Sequence, residues 1–220
     1  MNVYSLPSKI SALLFDMDGT LYTNPLYAQS QIDLPIKKLA ALQGKSFTRL
    51  QAEIAEFRAE FARTHNGRTT SLGNVFLAFG VSIEESVRWR EELYEPEKSL
   101  RPDPRLREAL GQLSAVHKLA LVTNNPTLVA QKTLTALGID RCTFSVIVGL
   151  DTCKVSKPNP APFLKASELI GVPCSECVSI GDRFDVDIEI PLSLGMGGIL
   201  VNGVEDVYPL AGFARLVSKR

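Results

Sequence analysis

No apolar stretch of this sequence approaches the ~18 consecutive residues that mark a membrane-spanning helix. Its start, MNVYSLPSKI, lacks the basic head and apolar run of a secretory signal. The expectation is a soluble, cytoplasmic protein with no membrane partner. An excess of one charge is also missing, since 24 lysines and arginines balance 24 aspartates and glutamates. Nothing general therefore favours nucleic acid, and a charged ligand must be recognised locally. Cysteine is sparse as well. Four in 220 residues (Cys142, Cys153, Cys174 and Cys177) do not make a disulfide framework. Cys174 and Cys177 have metal-ligand spacing, but a structural zinc site needs two more ligands. The pair also precedes a strand rather than opening a helix, so ordinary thiols are expected.

What is present is ample core material, with 45% hydrophobic residues in a chain of single-domain size or one domain carrying a large insertion. Five short apolar runs, ISALLFD, KLALVTN, FSVIVG, CVSIGD and GGILVN, read as buried parallel strands. Helical patterns lie between them: PRLREALGQLSAV before the second, PTLVAQKTLTALG after it, and APFLKASELIG later, the last two ending in the C-cap glycines Gly138 and Gly171. This alternation predicts an α/β protein with a Rossmann-like parallel sheet. Between the first and second strands the strand signal vanishes. SFTRLQAEIAEFRAEFARTH carries Leu50, Ile54, Phe57 and Phe61 on one stripe, and SLGNVFLAFG and SIEESVRWREELY are further helices. TNPLY and EPEKSLRPDP, rich in turn formers, bracket this region as linkers. The expected division is an α/β core of residues 1–23 and 97–220 with an inserted α-helical cap of residues 24–96.

Chemistry is concentrated at strand ends, where ligands of parallel α/β sheets bind. The first strand ends in Asp16 and Asp18, the second in Thr123, Asn124 and Asn125, and the fourth in Gly181 and Asp182. Adjacent carboxylates repel and resist desolvation, so they require a cation, a proton or bulk water. Two phosphate-loop lookalikes fail. GKS at Gly44–Ser46 has Leu39 where the earlier glycine belongs, and GMGG at Gly195–Gly198 runs from helix to strand, the reverse of a dinucleotide fingerprint.

DMDGTL, LVTNN, the lysine of VSKPNPAPF and GDRFDVDI, in that order, resemble the four motifs of the haloacid dehalogenase superfamily. The insertion between the first two is similar to that family's helical C1 cap. The chemistry suits phosphoryl transfer, which needs an attacking oxygen, neutralised phosphoryl charge and a proton for the leaving alkoxide. Asp16 is the expected nucleophile, forming an aspartyl phosphate, and Asp18 the acid and base. Magnesium, a cation of oxygen ligands, is expected on the Asp16 and Asp182 side chains. The resemblance adds the Asp18 backbone carbonyl and implies that Asp187 orients metal waters or the lysine from behind. Asp185 is expected to be solvated or to cap a helix. Lys157 would stabilise nucleophile and phosphoryl oxygens, and Thr123 and Asn124 would donate to phosphate while also capping a helix. In the cap, Arg63, His65 and Arg68 of RTHNGR could bind an anionic or hydroxylated leaving group. His117 is expected to be structural, and Trp89 and Phe76 to be cap core.

The expected activity is Mg2+-dependent hydrolysis of a small phosphorylated metabolite, by a monomer or homodimer. Phosphoglycolate, sugar phosphates and nucleoside monophosphates all fit. A phosphomutase and a non-catalytic phospho-ligand-binding domain are the alternatives. True dehalogenases lack the second aspartate of the first motif, so Asp18 argues against one.

Overall fold

Alternating side chains that are apolar on both faces explain why the short runs become interior strands. The computed structural model describes residues 1–212. Six strands, β1 (Asn2–Ser5), β2 (Ala12–Phe15), β3 (Lys118–Val122), β4 (Val146–Val148), β5 (Cys177–Gly181) and β6 (Gly197–Leu200), form one sheet in the order β1-β6-β5-β2-β3-β4. The five strands from β2 to β6 are parallel, and β1 pairs antiparallel with β6. The strand β1 is absent from the sequence expectation for a physical reason. All four of its residues are exposed, so it lacks the apolar signature of its neighbours.

Leu13 and Phe15 point to one face of the sheet and Ala12 and Leu14 to the other, feeding separate apolar clusters. Helices α1 (Pro25–Leu42), α2 (Phe47–Thr64), α3 (Leu72–Ala78), α4 (Ile83–Leu93) and α5 (Pro96–Ser99) lie between β2 and β3 in the chain. They are followed by α6 (Pro104–Ser114), α7 (Thr127–Ala136), α8 (Leu150–Cys153), α9 (Ala161–Ile170) and α10 (Glu189–Ser193). Leu106, Leu110 and Leu113 of α6 and Leu134 of α7 cover the first face, and Phe163, Ala166 and Ile170 of α9 the second. Gly138 and Gly171 follow α7 and α9 at φ +70° and +66°, the left-handed geometry of helix ends.

The inserted helices have their own apolar cluster, in which Leu50 and Ile54 of α2 join Phe76 and Trp89, whose rings meet edge-to-face with centroids 6.0 Å apart. Side chains of Ser46, Ser71 and Ser82 accept the third backbone N–H of α2, α3 and α4, as N-caps do. TNPLY proves to be a helix start rather than a linker. Asn24 accepts from the Tyr27 N–H at 3.0 Å, and proline tolerates the next position because it has no N–H to lose there. Asn24 also donates to the Ser99 carbonyl at 3.0 Å, tying the segment that enters the insertion to the one that leaves it. Among the described residues, no helix is long and apolar enough to cross a membrane.

Candidate active site

β2, β3 and β5 are hydrogen-bonded neighbours, so their C-terminal ends bring Asp16, Thr123 and Asp182 to one edge. The strand ladder continues into the site through Asp16 N–H to Ile180 O at 2.8 Å and Thr123 N–H to Val148 O at 3.0 Å. Lys157, 1% exposed, reaches in from the loop before α9. Its ammonium donates to Asp16 Oδ1 at 2.6 Å and to Asp187 Oδ1 at 2.7 Å. Burial pulls the lysine pKa down, but the two aspartates outweigh it and hold it above its ordinary value. Asn124 fixes that lysine's backbone, accepting from Lys157 N–H at 2.7 Å and donating to Lys157 O at 3.1 Å.

Asp16, Asp182 and Asp187 can each place a carboxylate oxygen within 4.8 Å of the others. Asp187 sits on a π-helical turn, Phe184–Ile188, and its second oxygen accepts from the Arg183 N–H at 3.2 Å. Burial, then repulsion from Asp16 and Asp187, pushes Asp182 up to about 7, and its Oδ1 is buried without a partner. An orphaned oxygen among crowded carboxylates is what a hard, oxygen-seeking cation would satisfy. Gly19 keeps this corner open. At φ +82° a Cβ there would stand 2.3 Å from Asp182 Oδ2, so the turn admits only glycine without rearrangement.

The Asp18 carboxyl is held differently. Tyr22 hydroxyl and Gln31 Nε2 (3.1 Å) donate to Oδ1, and Asn125 Nδ2 donates to Oδ2 at 2.8 Å. Gln31 also donates to Tyr22 hydroxyl at 2.9 Å and accepts from Asn125 at 3.1 Å. Burial and the neighbouring Asp16 raise the Asp18 pKa, while Tyr22 and Gln31 oppose the rise. Two aspartates one residue apart thus have different surroundings, one against an ammonium and one among neutral donors, the separation that acid–base chemistry uses.

Above them lies a cavity of about 280 Å³ whose lining includes Asp16, Asp18, Gln31, Arg58, Arg90 and Arg183. A family model described as haloacid dehalogenase-like hydrolase matches residues 10–195, a span that contains every residue named so far at this site. The chain belongs to this family. It is similar to a phosphoglycolate phosphatase of Colwellia psychrerythraea, 41% identical over 78 residues, about a third of either chain (35% and 34%). Over most of both chains (85% and 82%) it is 30% identical to a glyceraldehyde 3-phosphate phosphatase of Methanopyrus kandleri. Among solved structures, a HAD phosphatase from Thermococcus onnurineus shares the fold, with a TM-score of 0.65 and 23% identity over 93% of this chain and 98% of that one.

The haloacid dehalogenase-like motifs converge as spaced, whereas the expected cap loop does not enter the cavity. Arg63 pairs with Glu60 at 2.6 Å in the open, and His65 stacks on Phe61 with ring centroids 3.9 Å apart. Arg68 reaches Glu189 at 3.1 Å and Thr69 donates to Asp185 at 2.5 Å, contacts that lie outside the cavity lining. Asp185 therefore meets the insertion rather than only water. The reason is helical phase. Arg58 follows Ile54 by one turn and shares its inward face, while Arg63, five residues later, is turned about 140° away. Asn124 differs too. Its amide is committed to Lys157, and its neighbour Asn125 is the one that touches Asp18. Thr123, buried, accepts from the Asn125 N–H at 3.1 Å, leaving its own hydroxyl proton available.

Sequence reasoning missed Gln31, Arg58 and Arg90. The available signal was a polar residue interrupting an inward-facing i, i+4 row, as Arg58 does after Leu50 and Ile54. Elsewhere Trp89 and Phe76 are cap core as expected, and His117 binds the Ile10 carbonyl at 3.0 Å through Nδ1. All four cysteines are free thiols, and burial pushes Cys177 up to about 12.

Proposed function

We propose that the protein is a Mg2+-dependent phosphatase that hydrolyses a small phosphate monoester through an aspartyl phosphate on Asp16. The observation that carries this reading is the contrast between the two aspartates of DMDGT: Asp16 bound to Lys157, and Asp18 with a raised pKa among three neutral donors. Asp16 would attack phosphorus as the bond to the leaving oxygen breaks. Asp18, protonated, would give that oxygen its proton and then take one from the water that cleaves the acyl phosphate, releasing inorganic phosphate and restoring Asp16. Lys157 holds Asp16 in place and offers positive charge to the phosphoryl oxygens. Thr123 can donate its hydroxyl proton to them.

Asp16 and Asp182 would hold the magnesium, with the Asp18 carbonyl as a further oxygen and Asp187 behind them, its carboxylate engaged by Lys157 and the Arg183 N–H. Bound there, the ion would neutralise phosphoryl and carboxylate charge. The phosphatase names of the relatives support the reaction class, and the acid set distinguishes it from metal-free dehalogenation. The test is a panel of phosphorylated metabolites with magnesium, together with acid-quench trapping of labelled protein. Phosphate release with label on Asp16 is expected. A panel with no turnover, or turnover that leaves Asp16→Asn substantially active, rejects the assignment.

A further inference from the structure

Resting on the phosphatase reading, we propose that Arg58 and Arg90 form a subsite for a second anionic group of the substrate, restricting the protein to small phosphate monoesters that also carry a carboxylate or second phosphate.

Three guanidiniums line the cavity beside Asp16 and Asp18, those of Arg58, Arg90 and Arg183. Among the described residues, none of the three is in an ion pair. Their surroundings differ. Arg183 stands in the field of Asp187, Asp16, Asp182 and Asp185, which together outweigh its partial loss of water and hold its pKa above the ordinary value. Arg58 has no such compensation: burial disfavours its charge, and the charged neighbour acting on it is Arg183, another cation. Arg90 is 4% exposed, and its Nη1 donates to the Asn124 carbonyl at 2.5 Å, a neutral acceptor at the end of β3.

The Nε atoms of both Arg58 and Arg90 are buried without a partner. Thr70 hydroxyl, on the same cavity wall, is buried and unpartnered too. Buried donors and unpaired cations are costly to maintain. Here they come from three separate parts of the insertion, α2, the loop before α3 and α4, and meet at one place. A ligand anion is the group that would satisfy all of them, and guanidiniums suit carboxylate or phosphate in particular.

Size and lining narrow the class. The 280 Å³ cavity lies just under the ~300–1,000 Å³ range typical of drug-sized ligands. Tyr94 is the aromatic residue in the lining, and it is 2% exposed, so no open ring face awaits a nucleobase. A phosphorylated short hydroxy acid, or a bisphosphate of similar length, fits.

The decisive measurement compares kcat/KM for 2-phosphoglycolate, ethylene glycol bisphosphate and the neutral-tailed 2-hydroxyethyl phosphate, using intact protein with magnesium. The native protein should prefer one or both doubly anionic esters by ~10- to 100-fold, as loss of a charge-assisted contact implies. Which of the two wins separates carboxylate from phosphate. Arg58→Met and Arg90→Met should each collapse that ratio, chiefly through KM of the anionic ester. Arg58→Lys should restore part of it. Equal use of the neutral ester by the native protein overturns the subsite, as does a variant that lowers both substrates alike. The native comparison stands even if Arg90→Met fails to fold. Activity on p-nitrophenyl phosphate without a preference for a second anion refutes the subsite alone. No activity on any of the four esters refutes the phosphatase reading beneath it.

Discussion

Replacing Gln31 by leucine tests how the insertion and the acid are linked. Gln31 belongs to α1 and is 9% exposed, yet its amide touches Asp18, Tyr22 and Asn125, all part of the sheet domain's edge. Leucine keeps the volume and removes every one of these bonds. Asp18 would retain Tyr22 and Asn125, so the acid persists but is less well aimed. General acid catalysis is worth ~10²–10⁴-fold, and losing one of three orienting contacts should lower first-turnover transfer ~10-fold, or ~1.4 kcal/mol of transition-state stabilisation.

The Asn125 amide would lose an acceptor inside the protein, at ~1–2 kcal/mol, which corresponds to a fall in Tm of roughly 2–8 °C for a chain this size. The direction of the pH effect is also set. Gln31 helps hold the Asp18 pKa down against burial, so its loss raises that pKa and moves the alkaline limb of the transfer step upward. The assay is quench-flow release of an alkyl alcohol, compared with release of p-nitrophenolate, a leaving group that needs no proton. The alkyl ester should lose far more. Equal losses for the two esters, or an unmoved alkaline limb, would refute a role for Gln31 in aiming Asp18.

Asp16→Asn should abolish turnover without changing the circular dichroism spectrum, and substantial residual hydrolysis would exclude Asp16 as nucleophile. Lys157→Ala should be inactive and less stable by ~3–5 kcal/mol, because it strands two buried carboxylates; denaturant unfolding reads this directly, and an unchanged midpoint would contradict it. Asp182 rises from its usual 3.8 to about 7 in the folded state. Between those values the fold keeps a proton that the unfolded chain has lost, so metal-free stability contributed by this group falls as pH rises from about 4 to about 7. Magnesium requires the ionised form, so its increment in Tm should be larger at pH 8 than at pH 5, and equal increments would count against Asp182 as a ligand. EDTA should silence the protein reversibly.

The interior of the fold was readable because strands buried on both faces declare themselves as unbroken apolar runs, and the acids stood out because each follows such a run. The edge strand β1 carried no such contrast, being exposed along its length. Helix α1 was obscured by Pro25 and Pro35, and by serving two interiors, with Tyr27 in the sheet core and Ile36 and Leu39 in the insertion's. Residues of the insertion that face the acids were the hardest to read. RTHNGR looked chemically rich because its polar residues are adjacent, whereas Arg58 and Arg90 are solitary charges on amphipathic helices, indistinguishable by type from solvated ones. What separates them is rotation about the helix axis and the packing of α2 and α4 against α1, which no short motif records.

The bond from Asn24 to the Ser99 carbonyl has an evolutionary corollary. Because the chain leaves the sheet domain and rejoins it at neighbouring points, insertions of different length could be carried there without parting β2 from β3. Substitutions at Arg58 or Arg90 would then change what the cavity admits and leave the ladder that carries Asp16 and Thr123 in place.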